Sequence, residues 1–552
     1  MKAKDAKKHD SARRSAAQNH SANHPHAAKQ SRTGRKEATG AKKSRASSSE
    51  HAVKTSARGC VRHTTDAAVR ALPQAAETRL SAAKDIVYKT LIVGGGAAGL
   101  FFAARFGQKG DVILERGERV GRKLSATGGG WGNVTNESAG AFRAAFCLEN
   151  GEENANIEEC ANAKNGEGGE NHPRPNDFFG YFTSEPREKA KILSVIEDNS
   201  PQSLRSFLRS IGCETFADER GRVYPTSRQA SSLTDCLRIE AARRGVEIKT
   251  GEYVTSVQKT SLDLLSQPNH TQQSNHAASQ SVAAPLLVQT AQGAYYAENV
   301  VLCTGGSSAK NFGSDGNGYA LAQTLGHTVT PLYPSIVQLK CAEKTASLKG
   351  IRVFDCSLRL LYEKTPLATE SGDVLFTDCG VSGDAAFRLS AFLPHDQTSG
   401  GVNNVFLEID FLPAVEEARL ARLLKEKRLK YPSLKSGELF VGIINSRVGE
   451  KIAQYALSNA QIAAKEEAAA LAYTAKRFRL HVTGTLSFDY AQVTKGGVRL
   501  SETDEFLQSK HTPHVYFAGE ILDVDGACGG YNLQWAYSAA CRVGKALGRT
   551  AD

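Results

Sequence analysis

An α/β fold with a parallel sheet is the class this sequence predicts, and three adjoining segments predict it. Tyr88–Val93 is a short apolar run of β-forming residues, Ala97–Phe106 has helix-forming composition, and Asp111–Glu115 is strand-like again. Strand, glycine turn, helix and strand over so short a span form a βαβ unit, in which the strands lie parallel. Further apolar segments at Asn299–Cys303, Val374–Phe376, Val405–Ile409 and Val515–Phe517 read as strands. Residues 414–475 read as several helices with alternating charge, hence a helical subdomain.

Charge separates a tail from a body. The 552 residues carry 69 Lys and Arg against 58 Asp and Glu, a formal charge of +11. Residues 1–85 hold 19 of the basic and 7 of the acidic groups and no Phe, Trp or Tyr. Such a segment buries too little apolar surface to offset its ordering entropy, so a disordered basic tail is expected. The remaining chain is close to neutral, which argues against a basic nucleic-acid binder; weak phosphate affinity through the tail is the most that composition supports. Two polar stretches, about 147–176 and 264–284, read as insertions into a compact core. The eleven Cys form no CxxC pair and no metal-type Cys/His cluster, so reduced thiols, a cytoplasmic location and no metal site are expected. The start lacks an apolar h-region, and no uncharged apolar run reaches 18 residues, so neither export nor a membrane span is expected.

The strongest chemical signal is G-x-G-x-x-G at Gly94, Gly96 and Gly99, directly after a strand and opening a helix. Gly94 would make the tight turn, Gly96 let the backbone approach a pyrophosphate, and Gly99 let the helix pack closely on the strand. The helix start at Ala97 and Ala98 then faces phosphates, and Glu115, 21 residues after Gly94, accepts from an adenosine ribose. Glu115 would repel a 2′-phosphate, which disfavours NADP in this cleft. Just beyond come Arg122, Lys123 and the glycine run around Thr127, Gly128 and Gly129, suited to an extended ligand. Near the C-terminus a strand ends in Gly519-Glu520, and Gly529-Gly530 opens a helix running to about Leu547. Backbone N–H groups at that helix start would face the flavin edge where negative charge accumulates, and Glu520 would bind ribityl hydroxyls. Together the two ends argue for FAD.

These segments resemble a known family. GGGAAGL from Gly94, GRKL-x-x-TGGG-x-x-N-x-TN from Gly121 to Asn136, GRVYPTS (Gly221–Ser227), TGG (Thr304–Gly306), GNGYALAQTLGH (Gly316–His327), LFTDCGVSG (Leu375–Gly383), GTLSFDYAQVTKGGV (Gly484–Val498) and FAGEILDVDG-x-x-GGYNLQ from Phe517 are similar to the BaiN/RdsA-type NAD(P)/FAD-dependent oxidoreductases. Aminoacetone oxidase is a relative in that group. The resemblance spans about 86–550 apart from the two insertions. It implies a Rossmann-type FAD-binding domain, two-dinucleotide-binding-domain-like, from 86–330 and 485–550. A β-rich substrate domain from 331–413 and 476–484 and the helical subdomain at 414–475 would interrupt it. It also implies cofactor contacts at Arg116, Asn133, Asn136, Val254, Thr304, Gly305, Gly306, Tyr531, Asn532 and Leu533, besides the residues already named. Two departures stand out: Trp131-Gly132 where members usually have Arg-Cys, and Asp378 and Asp384 where they have His and Pro.

No Cys pair lies between Leu91 and Asn136, so flavin disulfide reductase chemistry is not expected. Cys528 beside the flavin loop is a packing residue or a redox thiol, and Tyr531 either lines the flavin or sits in the core. No catalytic side chain is identified, which flavin hydride chemistry tolerates because the cofactor supplies the reactive atom. The expected activity is FAD-dependent hydride transfer between a small organic substrate or NAD(P)H and an acceptor. Alternatives are an aminoacetone-type oxidase using O₂, a flavin-dependent RNA-modifying enzyme, and a flavin-binding protein without turnover.

Overall fold

A computed structural model of the chain describes residues 87–139, 180–260, 285–394, 402–459 and 466–550. The expected basic tail and both expected insertions lie outside the described residues.

In chain order, strand β1 (Val87–Val93) leads into helix α1 (Ala97–Phe106) and strand β2 (Asp111–Glu115). Helices α2 (Lys189–Glu197), α3 (Pro201–Ser210) and α4 (Ala230–Arg243) precede strands β3 (Glu247–Thr250), β4 (Val254–Lys259), β5 (Leu286–Thr290) and β6 (Ala294–Leu302). After helix α5 (Asn317–Thr324) come β7 (Leu339–Cys341), β8 (Arg352–Tyr362), β9 (Thr365–Phe376), β10 (Gly380–Ser382) and helix α6 (Asp384–Ser390). Strand β11 (Val405–Asp410), helices α7 (Glu417–Lys430), α8 (Ser446–Ser458) and α9 (Glu467–Lys476), and strand β12 (Phe478–Thr485) follow. Strand β13 (Val515–Phe517) and helix α10 (Tyr531–Ala546) close the fold.

One sheet runs β3-β2-β1-β6-β5-β4. Strands β3, β2, β1 and β6 are mutually parallel, with Val93 opposite Leu114 on one side and Leu302 on the other. The far edge of β6 is shared: its first half pairs antiparallel with β5, its last three residues parallel with β13. That sharing delivers the C-terminal strand to the centre of the sheet, on the far side of β6 from the strand that carries the first glycine turn. The strands bury continuous apolar runs, as a parallel sheet covered on both faces requires; Leu91, Ile92, Ile113, Val301 and Phe517 are fully buried with Phe101, Phe102, Trp535 and Tyr537 from α1 and α10. Gly544 makes that helix packing possible, because a Cβ there would lie 2.4 Å from the Phe106 ring.

The second core is a closed barrel, β7-β10-β9-β8-β11-β12, filled by Leu358, Leu360, Val374, Phe376, Leu407, Ile409, Leu480 and Val482. Leu420 and Leu424 of α7, Ile452 of α8 and Leu471 of α9 belong to the same apolar cluster. The segment expected as helical does carry these three helices. The barrel's longest strands, β8 and β9, extend far beyond the short apolar run at Val374–Phe376 that the sequence exposes.

A candidate dinucleotide cradle

The turn after β1 is shaped by what its glycines must avoid. Gly94 has φ +103°, and a Cβ there would lie 2.6 Å from the Cys303 carbonyl oxygen. A Cβ on Gly99 would come within 2.1 Å of the Gly94 oxygen, whereas one on Gly96 would meet nothing within 4 Å. Two glycines are therefore required by packing, and the middle one faces open space where a ligand's backbone can approach. Glu115 locks the turn: its Oε2 accepts from Gly95 N at 2.8 Å and its Oε1 from Gly117 N at 2.7 Å. Each carboxylate oxygen keeps a further lone pair for a ligand hydroxyl.

Three of the cations beyond the turn have protein partners. Arg116 pairs with Asp315 at 2.5 Å, and Arg122 Nη2 donates to the Asn311 carbonyl at 2.6 Å. Lys123 Nζ meets Glu520 Oε2 at 2.7 Å, and Glu520 Oε1 accepts from Thr494 N at 2.9 Å. Glu520, expected to meet ribityl hydroxyls, thus also anchors the first glycine region to the last strand. At the C-terminal side, Gly529 and Gly530 have φ +127° and +104°, and a Cβ on Gly530 would lie 2.4 Å from the Thr135 backbone. Asn532 holds the loop, accepting from Gly526 N at 2.8 Å and donating to Gly526 O at 2.7 Å. Asn136 Nδ2 donates to the Gly529 carbonyl at 3.3 Å.

A cavity of about 500 Å³ lies between these segments. Of the residues the sequence singles out, Gly94, Gly96, Ala97, Ala98, Glu115, Arg116, Arg122, Lys123, Thr127, Gly128, Gly129, Asn133, Val254, Thr304, Gly305, Gly519, Glu520, Gly529, Gly530, Asn532 and Leu533 line it. Gly99, Asn136, Gly306 and Tyr531 do not line it. Gly306 backs onto Thr494, whose Oγ1 would be 2.4 Å from a Cβ. Tyr531 packs edge-on against Tyr181 with ring centroids 5.6 Å apart, and its carbonyl accepts from the Tyr181 hydroxyl at 3.1 Å, a core arrangement. Arg119, Glu252, Cys303, Asn317, Gln492 and Cys528 also line the cavity. Gln492 and Asn317 sit in quoted segments, but nothing local marks them as wall residues.

Two polar atoms test what the cavity is built for. Asn133 Oδ1 and Thr304 Oγ1, both on the lining, are buried and have no hydrogen-bond partner in the protein. An orphaned buried acceptor or hydroxyl costs about 1–3 kcal/mol unless a bound group satisfies it. With the open approach at Gly96, the helix start at Ala97 on the lining and the Glu115 carboxylate beside it, these residues fit a dinucleotide. Ile336, Val493, Ala527, Cys528, Gly529, Gly530 and Leu533 on the lining carry no formal charge, while Arg116, Arg119, Arg122 and Lys123 and the acids Glu115, Glu252, Asp489 and Glu520 supply the charged part. Burial pushes the Cys528 thiol up, so it stays protonated at neutral pH. Close by, Asp525 is wholly buried, has an unpartnered Oδ1, and is pushed up to about 7, first by desolvation.

The chain has relatives among known proteins. The chain is 30% identical to the 3-dehydro-bile acid delta(4,6)-reductase of Clostridium scindens, over 82% of this chain and 98% of the relative. It is 25% identical to the ribosomal RNA dihydrouridine synthase of Escherichia coli K12, over 82% and 96%. A solved structure, the 3-ketosteroid delta1-dehydrogenase of Sterolibacterium denitrificans, aligns at 12% identity over 84% of this chain and 99% of that chain, with a TM-score of 0.41. The family described as HI0933-like protein Rossmann domain matches residues 138–546, so the chain belongs to that family and is an FAD-dependent oxidoreductase.

Proposed function

We propose that the protein uses NAD(P)H to reduce a carbon–carbon double bond conjugated to a carbonyl, with FAD carrying the hydride. The observation that carries this reading is the 30% identity to a relative named as a delta(4,6)-reductase, over nearly all of that relative's length. The uncharged lining residues Ile336, Val493, Cys528 and Leu533 support it, since an apolar planar acceptor needs no counter-charge. FAD, when bound, supplies the two-electron chemistry. The chain supplies position: the Gly94–Ala98 turn receives the pyrophosphate, Glu115 the ribose, and the start of α10 offers backbone N–H groups to developing negative charge. Cys528 keeps its proton on Sγ, which suits a wall thiol and not a disulfide-exchange nucleophile. In this reading residues 86–330 with 485–550 are the cofactor domain, and 331–413 with 476–484 contribute the substrate side.

A second reading, reduction of a uracil base in RNA, has its own support. Relatives named as ribosomal RNA dihydrouridine synthases match 82–84% of the chain. Trp131, two residues beyond the cavity residue Gly129, is 48% exposed, and the Arg228 guanidinium stacks 5.2 Å from its ring. An exposed tryptophan with an arginine over it is a stacking platform for a planar base. The test is anaerobic NADPH consumption with a 3-oxo-4-ene steroid, with unmodified ribosomal RNA, and with O₂ readmitted. Consumption driven by the steroid supports the first reading, and consumption driven by RNA the second. Consumption driven by O₂ alone, with peroxide released, overturns both in favour of an oxidase.

A further inference from the structure

Away from the cofactor cavity, three side chains that are far apart in the sequence converge on one point. His327 follows the end of α5, Glu502 ends the short 3-10 turn Leu500–Glu502, and His511 lies in the loop that feeds β13. His327 Nδ1 is 3.2 Å from Glu502 Oε2, and His511 Nε2 is 3.6 Å from the same oxygen. All three candidate ligand atoms lie within 4.8 Å of one another.

We propose that His327, Glu502 and His511 bind a divalent transition-metal ion of the zinc type, with the fourth position left to water. Four ligands about 2.0–2.1 Å from a tetrahedral zinc stand roughly 3.3 Å apart, and the two Glu502 contacts bracket that spacing. His327 is only 4% exposed, and its Nδ1 is buried with no hydrogen-bond partner despite the nearby carboxylate. The nitrogen and the oxygen are close enough to share one bound cation.

The surrounding hydrogen bonds supply the orientation that metal-binding imidazoles need. His327 Nε2 lies 2.6 Å from Ser509 Oγ, which also accepts from the backbone N–H groups of His511 and Thr512. Glu502 Oε2 accepts from Thr328 N at 2.8 Å, which fixes the carboxylate. His511 is 43% exposed along its side chain and gives an ion its way in from solvent. A bound ion would tie the end of α5 to the loop entering β13; the His327 ring stacks edge-on to Phe517 at 4.7 Å, two residues before Gly519 of the cavity wall. The site therefore acts as a clasp on the segment that brings the C-terminal cofactor residues into the sheet.

The test uses the full-length protein, stripped with a chelator and titrated with zinc chloride or cobalt chloride. The tail carries further histidines, among them His20, His24 and His26, so the readout that excludes any metal they take up is the difference between wild type and His511→Ala, a change at an exposed side chain. Wild type should hold one more equivalent of zinc than H511A, melt at a higher temperature with zinc than without, and give the visible bands of tetrahedral cobalt. Glu502→Gln should lose the same equivalent. Equal zinc content and equal melting shifts in wild type and H511A would overturn the proposal, as would cobalt spectra without tetrahedral bands.

Discussion

Gly96 and Gly99, three residues apart in the first turn, are expected to fail in different ways when substituted. A Cβ at Gly96, on the cavity lining, would meet no protein atom within 4 Å. Gly96→Val should therefore fold normally while its bound flavin weakens about tenfold or more, some 1.4 kcal/mol. At Gly99 even one methyl group would sit 2.1 Å from the Gly94 oxygen, so Gly99→Ala should cost about 1–3 kcal/mol of stability through overpacking. Flavin absorbance per protein and the melting of the flavin-free form separate the two; a G96V protein that keeps its flavin would show that the cavity is not the cradle. Asp525 gives a second residue-scale prediction, in pH. Its folded pKa is raised from the ordinary carboxyl value to about 7, so the native state binds the proton more tightly and stability is lost as pH rises from about 4 to 7. Asp525→Asn resembles the protonated form and should escape that loss, gaining up to about 4 kcal/mol over wild type at pH 8 and little at pH 4. A gain that does not grow with pH between those limits would refute the account.

Elements are held together across the chain by the Lys123–Glu520 pair, whose partners are 397 residues apart. Both side chains are about four-fifths buried, so removing one leaves the other's charge facing the cavity without its partner. Lys123→Met and Glu520→Gln should each destabilise the flavin-bound protein by about 1–3 kcal/mol, and the double variant by less than their sum. Strict additivity in that cycle would mean that the pair does not couple the two ends. How much of this was legible depends on where each signal lives. Strands β1, β2 and β13 and helices α1 and α10 were readable because continuous apolar runs and glycine turns are local signals. Strands β8 and β9 were not: Arg352, Asp355, Arg359, Glu370 and Asp373 alternate or cluster on outward positions, so only the apolar end at Val374–Phe376 stood out. The cavity shows the same divide, since the glycine segments announced themselves while Cys303, Asn317 and Gln492 arrive from separate segments with no pattern of their own. Tyr531 follows a conspicuous Gly-Gly pair, yet the left-handed turn at Gly530 leaves its ring packed against Tyr181.

At the scale of the molecule, the last question is how electrons arrive. Among the described residues a single G-x-G-x-x-G turn follows a strand, and the cavity it opens is the one that fits FAD. The other glycine cluster, Gly313–Gly318, follows the 3-10 turn Lys310–Phe312 instead of a strand. Its Gly313, Ser314 and Asn317 line the same cavity, and Asp315 is tied to Arg116 at 2.5 Å. That cluster is a wall of the first cradle and offers no second one. The cations that could read a nucleotide phosphate, Arg116, Arg119, Arg122 and Lys123, also belong to the FAD cavity. If NAD(P)H is the donor, it must dock transiently at the open mouth through few contacts. The expected Kd is about 0.1 mM or weaker, equivalent to about −5 kcal/mol or less favourable. NADH and NADPH should also reduce the flavin at similar rates, because the described cations on the cavity lining already belong to the FAD cradle. Anaerobic stopped-flow reduction over a concentration series of each nucleotide measures both quantities. Saturation in the low micromolar range, or a strong preference for one nucleotide, would mean that a nicotinamide site exists on a surface this cavity does not include.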